Sequence, residues 1–100
     1  MTAQTPPALA DRLTVSPDVV FRELEGEAVL LDLESGTYFG LNAVGTRIWS
    51  LIQERDSLRA VLDAITDEYD AMPEVLERDL LRLAGELCAK GLTRVAARHG

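Results

Sequence analysis

One hundred residues with 47% apolar composition suffice for one domain built on one core, and a second independent core is excluded by size. A single cysteine, Cys88, rules out an internal disulfide, a single histidine, His99, stands beside the terminal Gly100, and no apolar run approaches the ~20 residues that span a bilayer. The net charge of −7 is uneven, with thirteen acids against five Arg in residues 1–71 and five basic against four acidic residues from Met72 onward, a field that repels phosphate backbones.

In chain order, residues 1–17 contain Pro6, Pro7 and Pro17 and only a weak pattern over 8–13, so they read as a flexible N-terminal arm. The start Met1-Thr2-Ala3-Gln4 lacks the basic and apolar regions of a secretory signal, and the cytoplasm is the expected compartment. A domain is expected over 18–95, followed by a short tail over 96–100. Val19–Glu25 reads as the first strand, and Gly26 separates it from a second over Glu27–Leu33, where Val29, Leu31 and Leu33 alternate against Leu30 and Asp32 to mark a core face. Glu34-Ser35-Gly36 supplies the next turn, with Gly36 free to take positive φ. Thr37–Leu41 is then a third strand. Asn42 caps a helix directly after it, which leaves no loop to curl back, so the outer side of Thr37–Leu41 is expected to be an open edge.

The first helix repeats Val44, Ile48, Leu51 and Ile52 at helical spacing. Ser57 or Asp56 caps a second helix with the stripe Leu58, Val61, Leu62, Ile65 and Tyr69. Pro73 and Glu74 open a third helix, Gly91 ends it, and Leu92–Val95 reads as a short extended segment. Three strands followed by three helices predict an α+β domain of winged helix-turn-helix type. In the third helix Leu76, Leu80, Leu83 and Leu87 share one line, with Leu81, Ala84 and Cys88 displaced to one side. The first stripe is assigned to the core; the second either packs on another helix or walls a groove beside Thr37–Leu41.

No catalytic constellation is visible. The lone histidine stands next to the carboxy terminus, in an expected mobile tail, neighbours such as Asp67, Glu68 and Asp70 read as solvated charge, and neither a Gly-rich phosphate loop nor a metal-ligand spacing occurs, so no enzyme activity, metal or cofactor is expected. A winged-helix DNA binder is the weaker alternative, because Arg78, Arg82 and Lys90 are interleaved with Asp79, Leu83 and Glu86. A subunit whose exposed strand pairs with its own copy is another.

The run Leu31-Asp32, Ser35-Gly36-Thr37-Tyr38-Phe39-Gly40-Leu41-Asn42, Gly45 and Ile48-Trp49 resembles the PqqD-like family of RiPP recognition elements, which bind leader peptides of ribosomally made, modified peptides. The resemblance extends in outline from about Val19 to Val95, and the hairpin-to-helix passage is its most specific part. Its form is more similar to the freestanding recognition proteins of lasso-peptide clusters than to the pyrroloquinoline-quinone protein. The resemblance implies a monomer or weak dimer that captures a leader by strand addition at Thr37, Tyr38, Phe39, Gly40 and Leu41. Helical placement adds Leu81, Ala84 and Cys88 as groove candidates, and Arg78 and Arg82 as partners for leader carboxylates. A separate processing enzyme is implied as second partner: a leader peptidase in lasso systems, or a radical-SAM enzyme in quinone or related pathways.

Overall fold

The computed structural model describes residues 7–96. Its elements are β1 (Leu13–Val15), β2 (Val19–Leu24), β3 (Glu27–Asp32), β4 (Tyr38–Leu41), α1 (Ala43–Glu54), α2 (Leu58–Glu68), α3 (Pro73–Ala89) and β5 (Thr93–Val95). The expected α+β architecture is present: β2, β3 and β4 form an antiparallel sheet in that order, and three helices follow. Short connections produce this meander. Glu25 and Gly26, both at positive φ, turn β2 into β3, and Gly36 at φ 76° turns β3 toward β4.

The helices cover one face of β3 and β4, while β2, with no buried residue, projects beyond them. Leu30, Ala28 and Leu41 point into a core completed by Trp49 and Leu51 of α1, Leu58 and Ile65 of α2, and Leu80 and Leu87 of α3. This corrects the expected phase of β3. Ala28, Leu30 and Asp32 are its buried residues, whereas Val29 and Leu33 are exposed and Leu31 is half-buried. Asp32 is tolerated on the inward side because its carboxylate accepts the Glu34 N–H (3.1 Å) and the Ser35 hydroxyl (2.9 Å). The opposite face of the sheet carries the exposed side chains of Val20, Leu24, Val29 and Tyr38.

The arm expected through Pro17 ends earlier than its composition suggests. β1 pairs antiparallel with β5, placing Leu13 opposite Val95 and Val15 opposite Thr93. Leu13 is buried, and the start of α2 donates Leu58 N–H to the Asp11 carbonyl and Arg59 N–H to the Leu9 carbonyl, both at 2.8 Å. Residues 9–15 are therefore part of the packed domain. They gain order from a strand that follows α3, some eighty positions away along the chain. Of the expected tail, Ala96 donates to the Arg12 carbonyl (2.8 Å); residues 97–100, like 1–6, lie outside the described residues.

The end of α3 explains how β5 is delivered. Leu92 N–H donates to the Leu87 carbonyl (3.0 Å) and Gly91 N–H to the Cys88 carbonyl (3.1 Å), a Schellman closure that requires the positive φ of 76° found at Gly91. Leu92 is then fully buried, and the chain leaves in the direction of β1.

Candidate functional site

β4 has one hydrogen-bonded neighbour, β3, and its other side is an edge among the described residues. The register pairs Leu41 with Ala28, Gly40 with Val29, Phe39 with Leu30 and Tyr38 with Leu31. Asp32 N–H donates to the Thr37 carbonyl (2.8 Å), so by antiparallel alternation the 30/39 and 28/41 pairs are also hydrogen-bonded pairs. Leu33 N–H donates in the other direction, to the Asp18 carbonyl (2.9 Å), which fits the same phase. Phe39 and Leu41 thus spend their N–H and C=O groups on β3. Tyr38 and Gly40 point theirs at the open side.

The edge is anchored at both ends. Before it, Ser35 Oγ accepts Thr37 N–H (3.2 Å) while itself donating to Asp32. After it, Asn42 Oδ1 accepts the Gly45 N–H (2.8 Å) and starts α1 without an intervening loop. A side chain at position 45 would bring Cβ to 3.3 Å from both Asn42 Oδ1 and Leu41 Cδ2, so glycine allows the close fit of cap, strand end and helix. Strand direction, cap and α1 are therefore one mechanical unit.

A groove of about 430 Å³ runs along this edge. Its near side is Phe39, Gly40 and Leu41 with Val44, Gly45 and Ile48 of α1, its end wall is Tyr69 and Ala71 between α2 and α3, and its far side is α3. On α3 the lining residues are Val75, Leu76, Asp79, Arg82, Leu83 and Glu86. α1 packs on α2 and α2 on α3, while α1 and α3 hardly touch, and that separation leaves the groove. Its floor is apolar and its α3 rim carries charge. Arg82, with 71% of its side chain exposed, is only loosely paired with Asp79 (3.6 Å), and the Lys90 ammonium stands 5.8 Å from the centre of the Phe39 ring. A second depression, of about 350 Å³, adjoins the same edge on the outer face, where Arg22, Leu24 and Val29 surround the space left by Gly40.

Arg47 of α1 and Glu68 at the end of α2 form a two-pronged pair, Nε to Oε1 at 2.8 Å and Nη2 to Oε2 at 2.7 Å. The hydrogen bond from Arg47, opposed by desolvation, lowers the Glu68 pKa; the same bond raises that of Arg47.

The residues proposed from sequence separate into two groups. Phe39, Gly40, Leu41 and Arg82 line the groove; Thr37 precedes the strand and is half-buried, and Tyr38, 73% exposed, turns its side chain to the outer face. Leu81, Ala84, Cys88 and Arg78 do not line it. Ala84 is fully buried in the core, Leu81 packs against the core, Cys88 Sγ lies 3.3 Å from Thr93 Oγ1 beside β5, and Arg78 is solvent-exposed. At about 100° per residue, Leu81 and Cys88 fall on one flank of the Leu80–Leu87 line and Leu83, Asp79 and Glu86 on the other. The second flank faces β4. Val75, Asp79, Leu83 and Glu86 were missed because charge and apolar residues mix there, the pattern of a half-open wall.

Among the described residues there is no group of three or more His, Cys, Asp or Glu able to hold a metal ion, and no helix long and apolar enough to cross a membrane. What the arrangement offers is backbone pairing beside an apolar trough.

The sequence profile of the family described as Coenzyme PQQ synthesis protein D (PqqD) matches residues 27–92, from β3 through the end of α3. Among solved structures, the chain is similar to TbiB1 in complex with the TbiA(beta) leader peptide, with 43% identity and a TM-score of 0.75 over 84% of this chain and 98% of that one. It is also similar to lasso peptide synthetase B1 complexed with the leader peptide, with 26% identity and a TM-score of 0.74 over 83% of this chain and 98% of that one. No curated protein matches it significantly.

Proposed function

This chain belongs to the PqqD family, and we propose that it is a leader-peptide-binding protein, a RiPP recognition element that captures a precursor peptide and presents it for processing. The observation that carries this reading is the open β4 edge with a hollow on each side of it. A strand added beside Tyr38 and Gly40 places alternate side chains on opposite faces, one set in the groove against Leu83 and Val75, the other over the outer depression beside Leu24 and Val29. Backbone pairing supplies affinity that depends little on sequence, and the two hollows supply selection.

The complexes of the two similar structures with leader peptides support this assignment. The chain contributes no chemistry of its own in this reading. It raises the effective concentration of the precursor at a separate processing enzyme in the cytoplasm, a leader peptidase of a lasso-peptide pathway. A second reading, a peptide chaperone for a radical-SAM enzyme in quinone or related biosynthesis, is favoured by the family profile itself. The 43% identity to a protein seen with a TbiA(beta) leader favours the first.

A titration tests the proposal. Fluorescently labelled TbiA(beta) leader, and the leader of any short precursor encoded beside this chain's gene, are titrated with the protein and read by anisotropy. Saturable binding of at least one leader in the micromolar range or tighter is expected, displaced by its unlabelled form and indifferent to duplex DNA. Absence of saturable binding to both leaders overturns it.

A further inference from the structure

The groove exists because α1 and α3 stand apart, and α2 is the element that joins them. Its width at one end is therefore governed by the place where α2 finishes and the chain crosses to α3. That crossing carries Tyr69 and Ala71, which form the end wall, and Tyr69 N–H still donates to the Ile65 carbonyl (2.9 Å) as the helix closes. Beyond this bond α2 ends in extended backbone at Tyr69, without a glycine terminator like the one that closes α3.

Glu68 immediately precedes this wall, and its carboxylate is gripped by the Arg47 guanidinium in a planar fork. Arg47 stands on α1 between Val44 and Ile48, two α1 residues that line the same groove as Tyr69 and Ala71. The pair thus ties the α1 wall to the Tyr69–Ala71 wall by two bonds of 2.7 and 2.8 Å, although neither of its members lines the groove. Exposed ion pairs add little to global stability. A fork across two walls of one trough acts chiefly on their relative position.

We propose that Arg47 and Glu68 are positioning residues for the leader: their fork sets the separation of α1 from the α2–α3 crossing and so preforms the end of the groove that receives the leader's inward side chains. This inference rests on the groove being the leader site. Preorganisation of this kind appears in affinity, since a wall that must be ordered during binding weakens the complex.

The test uses the intact protein and the labelled leader that it binds most tightly in the titration above. Arg47→Ala and Glu68→Ala are each expected to weaken leader binding by about tenfold, while the thermal midpoint stays within about 5 °C of wild type. The exchanged pair Arg47→Glu with Glu68→Arg is expected to recover most of the affinity, and the amide resonances of Tyr69 and Ala71, displaced in the single variants, are expected to return toward their wild-type positions. Single variants that bind as wild type overturn the inference, as does an exchanged pair that stays as weak as the single variants. Tyr38→Pro separates the two levels. If that change leaves leader affinity intact, the edge-and-groove site itself is wrong and the positioning role falls with it; if it weakens binding while both alanine variants are unaffected, the site stands and only the fork is refuted.

Discussion

A proline placed at successive positions of β4 gives opposite outcomes that the register alone determines. Phe39 directs its N–H to Leu30 of β3, so Phe39→Pro deletes an internal ladder bond and drives the ring against a paired strand, at a cost of about 3 kcal/mol or more. Against a total stability of about 5–15 kcal/mol for a small domain, that variant should be strongly destabilised. Tyr38 and Gly40 direct their N–H groups outward, so proline there removes no bond to β3, and at Gly40 an added Cβ meets nothing within 4 Å. Those variants should fold. Each denies one donor to an incoming strand and leaves a leader carbonyl unpaired in a half-buried site, which costs about 1–3 kcal/mol, or about 5- to 150-fold in Kd. Circular dichroism melts report the folding half and anisotropy the binding half. Tyr38→Ala separates loss of the side chain from loss of the N–H and should bind much closer to wild type than Tyr38→Pro. Wild-type affinity in folded Tyr38→Pro and Gly40→Pro, or an undisturbed melt for Phe39→Pro, would refute the assignment of donors.

Leu83→Arg, on the flank of α3 that lines the groove, should weaken leader binding by about tenfold or more, whereas Arg78→Glu, exposed and away from it, should stay within about twofold by the same anisotropy assay. Asn42→Ala removes the acceptor for Gly45 N–H and should cost about 1 kcal/mol in urea or thermal unfolding, with Asn42→Asp restoring most of it. The Glu68 carboxyl has its folded-state pKa depressed by Arg47, so its contribution is present above the unfolded carboxylate range and is lost as pH falls through the folded-state value. Arg47→Met should therefore flatten that acid limb of the stability-against-pH curve, measured by denaturant melts between pH 7 and pH 3.

The features legible from sequence were those written locally. Asn42, Ser57 and Gly91 mark helix ends through groups that bond within a few residues of themselves, Pro73 does so through its fixed φ and missing N–H, and each occupies the role its chemistry suggests. The β3–β4 hairpin was legible for the same reason, since Asp32, Ser35 and Gly36 close it among themselves. Pairing of β1 with β5 was not, because two three-residue strands at opposite ends of the chain carry no periodic signal and owe their order to each other and to the helices they rest on. The phase of β3 was misread where Asp32, a polar residue, faces inward to hold the turn. On α3 the core line was correct at Leu76, Leu80 and Leu87, yet a helical wheel is symmetric about that line and does not say which flank meets β4. Only the path through α2 decides it, and that path places Leu83 at the groove and Cys88 at β5.

Amide hydrogen exchange at single-residue resolution, with and without saturating leader, reads the unpaired edge directly. In the free protein the amides of Phe39 and Leu41 should exchange slowly and those of Tyr38 and Gly40 quickly; on saturation with leader, Tyr38 and Gly40 should become protected. Rapid exchange at both positions in a complex shown to be saturated would contradict strand addition at β4.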